Sequence, residues 1–184
     1  TFEALTELIQ ETADDIHYLE SISNSLDIAL TEADLIQIKE ELMQTGYVRR
    51  KYTKKKEKIT SRPMHYISSD GYHMYVGKNN LQNEELTFSF ANGNDWWFHA
   101  KGAPGSHVIV KTGGDELPDR TFEEAGRLAA YYSKNRGSDK VEIDYVEKKH
   151  VKKPNGSKPG FVVYYTNYSL VIDSDISNLK TVQD

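Results

Sequence analysis

Residues 91–110 read ANGNDWWFHAKGAPGSHVIV, and no other stretch of the chain restricts its fold as tightly. Asp95 to Lys101 sets two Trp, a Phe and a His in alternation without helical spacing, which predicts a strand. A period of two puts Trp96, Phe98 and Ala100 on one face and Asp95, Trp97, His99 and Lys101 on the other. The first set is apolar and predicts a core face. The second carries a carboxylate, an indole, an imidazole and an ammonium, which predicts a polar, accessible face. Trp97 reads equally well as a core residue, if that side of the sheet is covered. Ser106 to Lys111 predicts a second strand, with Val108 and Val110 on one side and His107, Ile109 and Lys111 on the other. Between the two strands, Gly102-Ala103-Pro104-Gly105 predicts a tight loop whose free N–H groups suit an anion.

The rest of the chain divides by charge. A net charge of −5 over 184 residues conceals eleven acids and one base in residues 1–47, then eight bases and one acid in residues 48–62. Residues 63–184 are nearly balanced, so an acidic total does not argue against a polyanionic partner. We expect three parts: a helical segment at 1–47, a basic linker at 48–62 and a domain at 63–184. That length buries a core without staples. Cysteine is absent, which excludes disulfides and thiolate metal sites and is compatible with a cytoplasmic location. No stretch is long and apolar enough for a membrane helix or a secretory signal, so no membrane partner is expected. A start at Thr1 suggests a fragment, which makes a missing signal peptide uninformative.

Leu5, Ile9, Thr12, Ile16, Leu19, Ser23 and Leu26 step by four and three, a heptad seam flanked by acids. Such a stripe requires a partner helix, either the next helix of this chain folding back as a hairpin or one from elsewhere. Thr31 predicts the start of a second helix, with a capping box to Asp34, Leu35, Ile38 and Leu42 turned inward, and a stop at Gly46. The basic run from Val48 to Arg62 reads as a solvated linker or, with Tyr47 and Tyr52 interleaved, as a nucleic-acid contact.

Met64 to Val76 predicts a β-hairpin turning at Asp70-Gly71. Asn79 to Phe90 fits a strand or a helix. Thr121 and Glu124 predict a capping box opening an apolar-striped helix that Gly137 closes. Val141 to Tyr145 predicts a strand, and Phe161–Tyr165 with Ser169–Ile172 a final hairpin. The sum is an α+β fold: an N-terminal coiled-coil or helical segment, then a mostly antiparallel sheet packed with one or two helices.

Asp95-x-Trp97-Phe98-His99, followed by Pro104-Gly105-Ser106-His107-Val108, resembles the signature of the NFACT-R domain. That domain ends proteins of the RqcH, NEMF and fibronectin-binding protein A family. Val151-Lys152-Lys153-Pro154-x-Gly156-x-x-Pro159-Gly160 and Tyr165-Thr166-Asn167-Tyr168 resemble its second motif. The resemblance implies a helix at Asn79–Phe90, and it implies that the N-terminal seam is the returning half of a long coiled coil. It further implies an RNA-binding module that meets rRNA of the stalled large ribosomal subunit and tRNA, in support of tailing the nascent chain with alanine for degradation. A second implied role is an adhesin for fibronectin or fibrinogen, displayed at the cell surface without a signal peptide. The stripe at residues 5–26 also makes a homodimer an expectation.

Residue chemistry favours binding over catalysis. The segment from Lys148 to Gly160 holds five lysines and no acid, and its prolines and glycines hold it in turns. An unmatched run of like charge favours a polyanion. The expected nucleic-acid surface therefore comprises Lys148, Lys149, Lys152, Lys153 and Lys158, joined by Asp95, Trp97, His99, Lys101, Pro104, Gly105, Ser106, His107 and Lys111. Ser106 and His107 are strand neighbours pointing oppositely, so they are not a nucleophile and its base. Asp95, His99 and His107 share a face but read better as a hydrogen-bonded cluster than as a metal site. No phosphate-loop or dinucleotide fingerprint occurs, so no cofactor and no enzyme activity are expected.

Overall fold

Two helices lead into a seven-stranded antiparallel sheet, and both faces of that sheet are covered. A computed structural model describes residues 1–50 and 58–182. Residues 51–57 of the basic linker, Tyr52 included, lie outside the described residues. The elements in order are α1 (Phe2–Ile28), α2 (Glu32–Gln44), β1 (Met64–Ile67), β2 (His73–Val76), α3 (Asn80–Glu85) continued by a π-helical turn (Leu86–Phe90), β3 (Trp96–Ala100), β4 (Val108–Val110), α4 (Asp119–Tyr131), β5 (Val141–Glu147), a 3₁₀ turn (Lys148–His150), β6 (Tyr168–Ile172) and β7 (Lys180–Thr181). The strand order is β6-β5-β3-β4-β2-β1-β7. This is the expected α+β fold, with a helix at Asn79–Phe90 as the family resemblance implies.

The central hairpin pairs as its alternation predicts. Trp96 faces Val110, Trp97 faces Ile109 and Phe98 faces Val108, so each face keeps the predicted set of side chains. Phe98, Val108, Val110 and Ala100 pack with Ala125, Leu128 and Ala129 of α4 in the main core, which Ile28 of α1 also enters. The opposite face departs from expectation. Trp97 and Ile109 are fully buried in a second core with Leu86, Ala91, Val146 and Val151, where Val162 and Tyr164 join them. The predicted polar, accessible face is therefore an interior one. The segment expected to be a strand at Phe161–Tyr165 makes only the Lys152↔Val163 bridge. Its alternate side chains are spent covering Trp97, and β6 alone takes the free side of β5.

Local capping held where the pattern was local. Thr31 and Asp34 form the capping box of α2, and Gly46, at φ 84°, ends that helix in a conformation glycine adopts without strain. At α4 the expected box is replaced. The helix begins three residues earlier with Pro118 as its cap, which has no side-chain acceptor. Thr121 and Glu124 therefore lie inside the helix. Thr121 donates to Ser68 and Asp70, and Glu124 accepts from the Ser69 amide at 2.8 Å, tying α4 to the β1–β2 turn. The helix also stops at Tyr131, before Gly137.

The helical arm has two faces with different fates. Tyr18 and Ile22 of α1 pack on Ile38 of α2, while Leu35, expected inward, is exposed. Leu5, Ile9, Ile16, Leu19 and Leu26 all lie on the outside. Residues 1–17 are exposed throughout, a rod of about 25 Å at 1.5 Å per residue. The arm meets the domain through buried polar groups. Asp34 accepts from Lys78 at 2.5 Å and Ser61 at 2.7 Å. Gln37 accepts from Asn79 and Gln82 at 2.8 and 2.7 Å, and Glu41 accepts from Tyr18 and Asn80 at 2.7 and 2.9 Å.

Candidate functional site

The signature residues of the central hairpin do three different jobs. Asp95 is 2% exposed, and its carboxylate accepts from the Asn92 and Thr112 amides at 2.7 and 3.1 Å and from the Lys111 ammonium. It closes the entry to β3 onto the end of β4. Lys111 is thereby committed to an internal ion pair and also lies 4.8 Å from the Phe90 ring centroid. Both were expected at a nucleic-acid surface, and neither is free to act there. Lys101 does reach the surface, where it is paired with Glu142 at 2.6 Å. Ser106 is buried, its amide donating to the Tyr132 carbonyl at 2.9 Å.

Trp97, His99 and His107 form the third group. Trp97 lies 5.7 Å from His99 in a stacked arrangement, 5.1 Å from His107 and 5.0 Å from Tyr164, centroid to centroid. Burial holds the His99 imidazole down at about 4, against weaker opposition from the Gly105 backbone and Asp144. Burial, reinforced by His99, also holds His107 well below its ordinary value. Both rings are neutral near pH 7, each with one donor and one acceptor nitrogen. His107 Nδ1 contacts Thr87 Oγ1 at 2.8 Å. Trp97 Nε1–H has no acceptor among the described residues. Asp95, which the sequence places beside these histidines, is turned away to Lys111. Among the described residues no three His, Asp or Glu side chains converge as metal ligands.

These rings floor a cavity of about 430 Å³, between α1, the Gly102–Gly105 loop and residues 156–164. Gly105 passes so close to α4's exit that a Cβ there would meet the Ser133 Cβ at 2.9 Å, which is why this signature position excludes a side chain. Pro104 and Gly105 line the rim. The amides of Gly102, Ala103 and Gly105 donate no hydrogen bond to any described residue. Tyr18, Asn80 and Tyr164, unmarked by the sequence reading, complete the walls. Tyr164 lies between the two halves of the second motif, but its predicted strand alternation gave no sign that it would fold across the sheet. It donates to Asp144 at 2.8 Å.

The lysine-rich segment is better matched than its own sequence suggests. Lys149 pairs with Glu147, Lys153 with Glu84 of α3, and Lys158 with Asp15 of α1. Lys158 also donates to the Tyr47 hydroxyl at 2.8 Å. Lys148 stands over the Phe88 ring at 5.6 Å. Lys152 is exposed and has no ion pair among the described residues. The premise of an unmatched run is thus corrected: the acids arrive from other elements.

A covered sheet with a helical arm, a lysine-bearing edge and an aromatic cavity defines a class that the comparisons make specific. Residues 62–165 match the NFACT protein RNA binding domain, and residues 1–61 match the NFACT N-terminal and middle domains. The chain belongs to the NFACT family. It is 44% identical over 182 residues to the Rqc2 homolog RqcH of Streptococcus pneumoniae and 40% identical over 172 residues to that of Bacillus subtilis, covering 97% and 92% of this chain. It spans about a third of the length of these curated relatives (32% and 30%). The C-terminal structure of the fibronectin/fibrinogen-binding protein from Streptococcus suis superimposes with a TM-score of 0.87 at 43% identity, over 95% of this chain and 70% of that one.

Proposed function

We propose that this chain is the RNA-contacting C-terminal part of an RqcH-type ribosome quality-control factor. On this reading it is a cytoplasmic, non-catalytic module that holds rRNA of the stalled large subunit and tRNA while the whole protein supports alanine tailing of the nascent chain. The observation that carries it is the match of residues 62–165 to an RNA binding domain, together with RqcH relatives along nearly the whole chain. The exposed Lys149, Lys152 and Lys153 suit phosphate contacts, which position RNA without reading its sequence. The arm, about 25 Å of exposed helix, suits reach along a large particle.

The name of the Streptococcus suis relative favours a second reading, a surface-displayed adhesin for fibronectin or fibrinogen. Salt separates the two. Each phosphate neutralised steepens the slope of log K against log salt by about 0.7 to 0.9. We expect vacant large subunits or tRNA to bind with a slope of about −2 or steeper. A protein contact built on strand pairing or apolar burial has a far shallower slope. Tight fibronectin binding, with no salt-dependent affinity for large subunits or tRNA, would overturn the RNA reading.

A further inference from the structure

The cavity floored by Trp97, His99 and His107 has a chemistry distinct from the lysine-bearing edge. At about 430 Å³ it is the size of a small-molecule pocket, too small for a duplex. Its walls are flat rings, including Tyr18 and Tyr164, which offer faces on which another ring stacks. Its floor carries two imidazoles, neutral near pH 7, of which His107 already contacts Thr87 through Nδ1, and an indole N–H, while Asp14 and Lys158 stand at the mouth. That N–H belongs to a side chain that is 0% exposed and lacks an acceptor, a rare state for a buried donor. A charged ligand group would find no counter-charge on this floor, because Lys158 at the mouth is already paired with Asp15. The unpartnered amides of Gly102, Ala103 and Gly105 stand at the rim, where an anion fits without entering.

We propose that this cavity takes one unstacked nucleobase of single-stranded RNA, with the adjoining phosphate against the Gly102–Gly105 amides. The base is the planar, uncharged group whose edge carries both donors and acceptors, and splayed bases held against aromatic rings are a general mode of RNA recognition. The inference rests on the RNA-binding reading above and names what the central hairpin would hold. It separates two contributions: lysines that bind backbone from outside, and a pocket that requires a base.

The test titrates the 184-residue chain with AMP, UMP and ribose 5-phosphate, following tryptophan emission. A single-stranded RNA octamer and an abasic octamer are titrated in parallel. We expect saturable quenching by a nucleotide and none by ribose 5-phosphate, with the abasic octamer binding about tenfold more weakly than the RNA. Trp97→Phe, which removes the donor, weakens nucleotide binding about fivefold. Ser157→Phe plugs the mouth and abolishes it at an unchanged melting temperature, which keeps the test intact if Trp97→Phe fails to fold. Equal binding of both octamers without quenching overturns the pocket and leaves the RNA reading standing. Nucleotide binding without polymer binding assigns the cavity to a free nucleotide and overturns both the proposal and that reading. Quenching by an unstructured peptide but by no nucleotide assigns the cavity to a protein partner and overturns the proposal. No binding of any probe overturns both.

Discussion

Lys152 and Lys153 are adjacent in sequence and unequal in electrostatic standing. Lys153 shares its charge with Glu84, whereas Lys152 has no ion pair among the described residues. A phosphate can take Lys152 directly but must compete with a carboxylate for Lys153. Lys152→Ala should therefore weaken RNA binding more than Lys153→Ala and flatten the salt slope by about 0.7 to 0.9. Glu84→Gln should strengthen binding, and a filter-binding series in salt reads all three. The histidines give a second prediction at this scale. His99 titrates near 4 in the folded chain and near 6.5 when unfolded. Between those values the unfolded state binds more protons, so stability is complete above about pH 6.5 and falls as pH drops through the window. His107 acts in the same direction. Denaturant midpoints between pH 7 and 4.5 should fall less steeply in His99→Gln/His107→Gln than in the parent chain. An unchanged pH slope would refute neutral imidazoles at these two positions. The alternation of β3 told which residues share a face. It did not tell that this face is roofed, because Leu86 and Ala91 cover it together with Val151, Val162 and Tyr164, which lie far along the chain.

At the scale of elements, α1 shows how a helix can carry two stripes. One, through Tyr18 and Ile22, is satisfied by α2. The other, Leu5 to Leu26, is left outside. The heptad spacing was legible because it is a local period. What it packs against was not, since α2 docks a quarter-turn or so away and Leu35 remains exposed. An exposed apolar stripe over seven heptad positions favours pairing in water. Sedimentation at about tens of micromolar, where apolar seams of this kind pair, should find the parent chain self-associated. Ile9→Asp/Ile16→Asp should be monomeric, and a monomeric parent would sink the idea. The α2 cap was readable for the same reason as the heptad: Thr31 and Asp34 are three residues apart. The α4 cap was misread because Thr121 and Glu124 are used by the β1–β2 turn, more than fifty residues upstream.

Across the whole molecule, the arm and the sheet meet through buried charge and amide groups beside the apolar contact of Ile28, and burial decides which pairs matter. Asp34 is 1% exposed. Burial alone would raise its carboxyl, but Lys78, Ser61 and the Leu30 amide hold it down at about 2. Lys78→Ala leaves that carboxylate without its cation and should cost about 3 kcal/mol. Lys101→Ala breaks an exposed, solvent-screened pair with Glu142 and should leave the urea midpoint nearly unchanged. Urea denaturation of the two variants checks the contrast, and equal losses would refute it. Period, turn residues and short-range caps were enough to predict the α+β class, the central hairpin, its register of faces and the α2 cap, since each depends on neighbours a few residues away. The covered polar face, the cavity and the matched lysines were settled by packing. Lys158 meets an acid 143 residues away, and no local pattern encodes a contact at that separation.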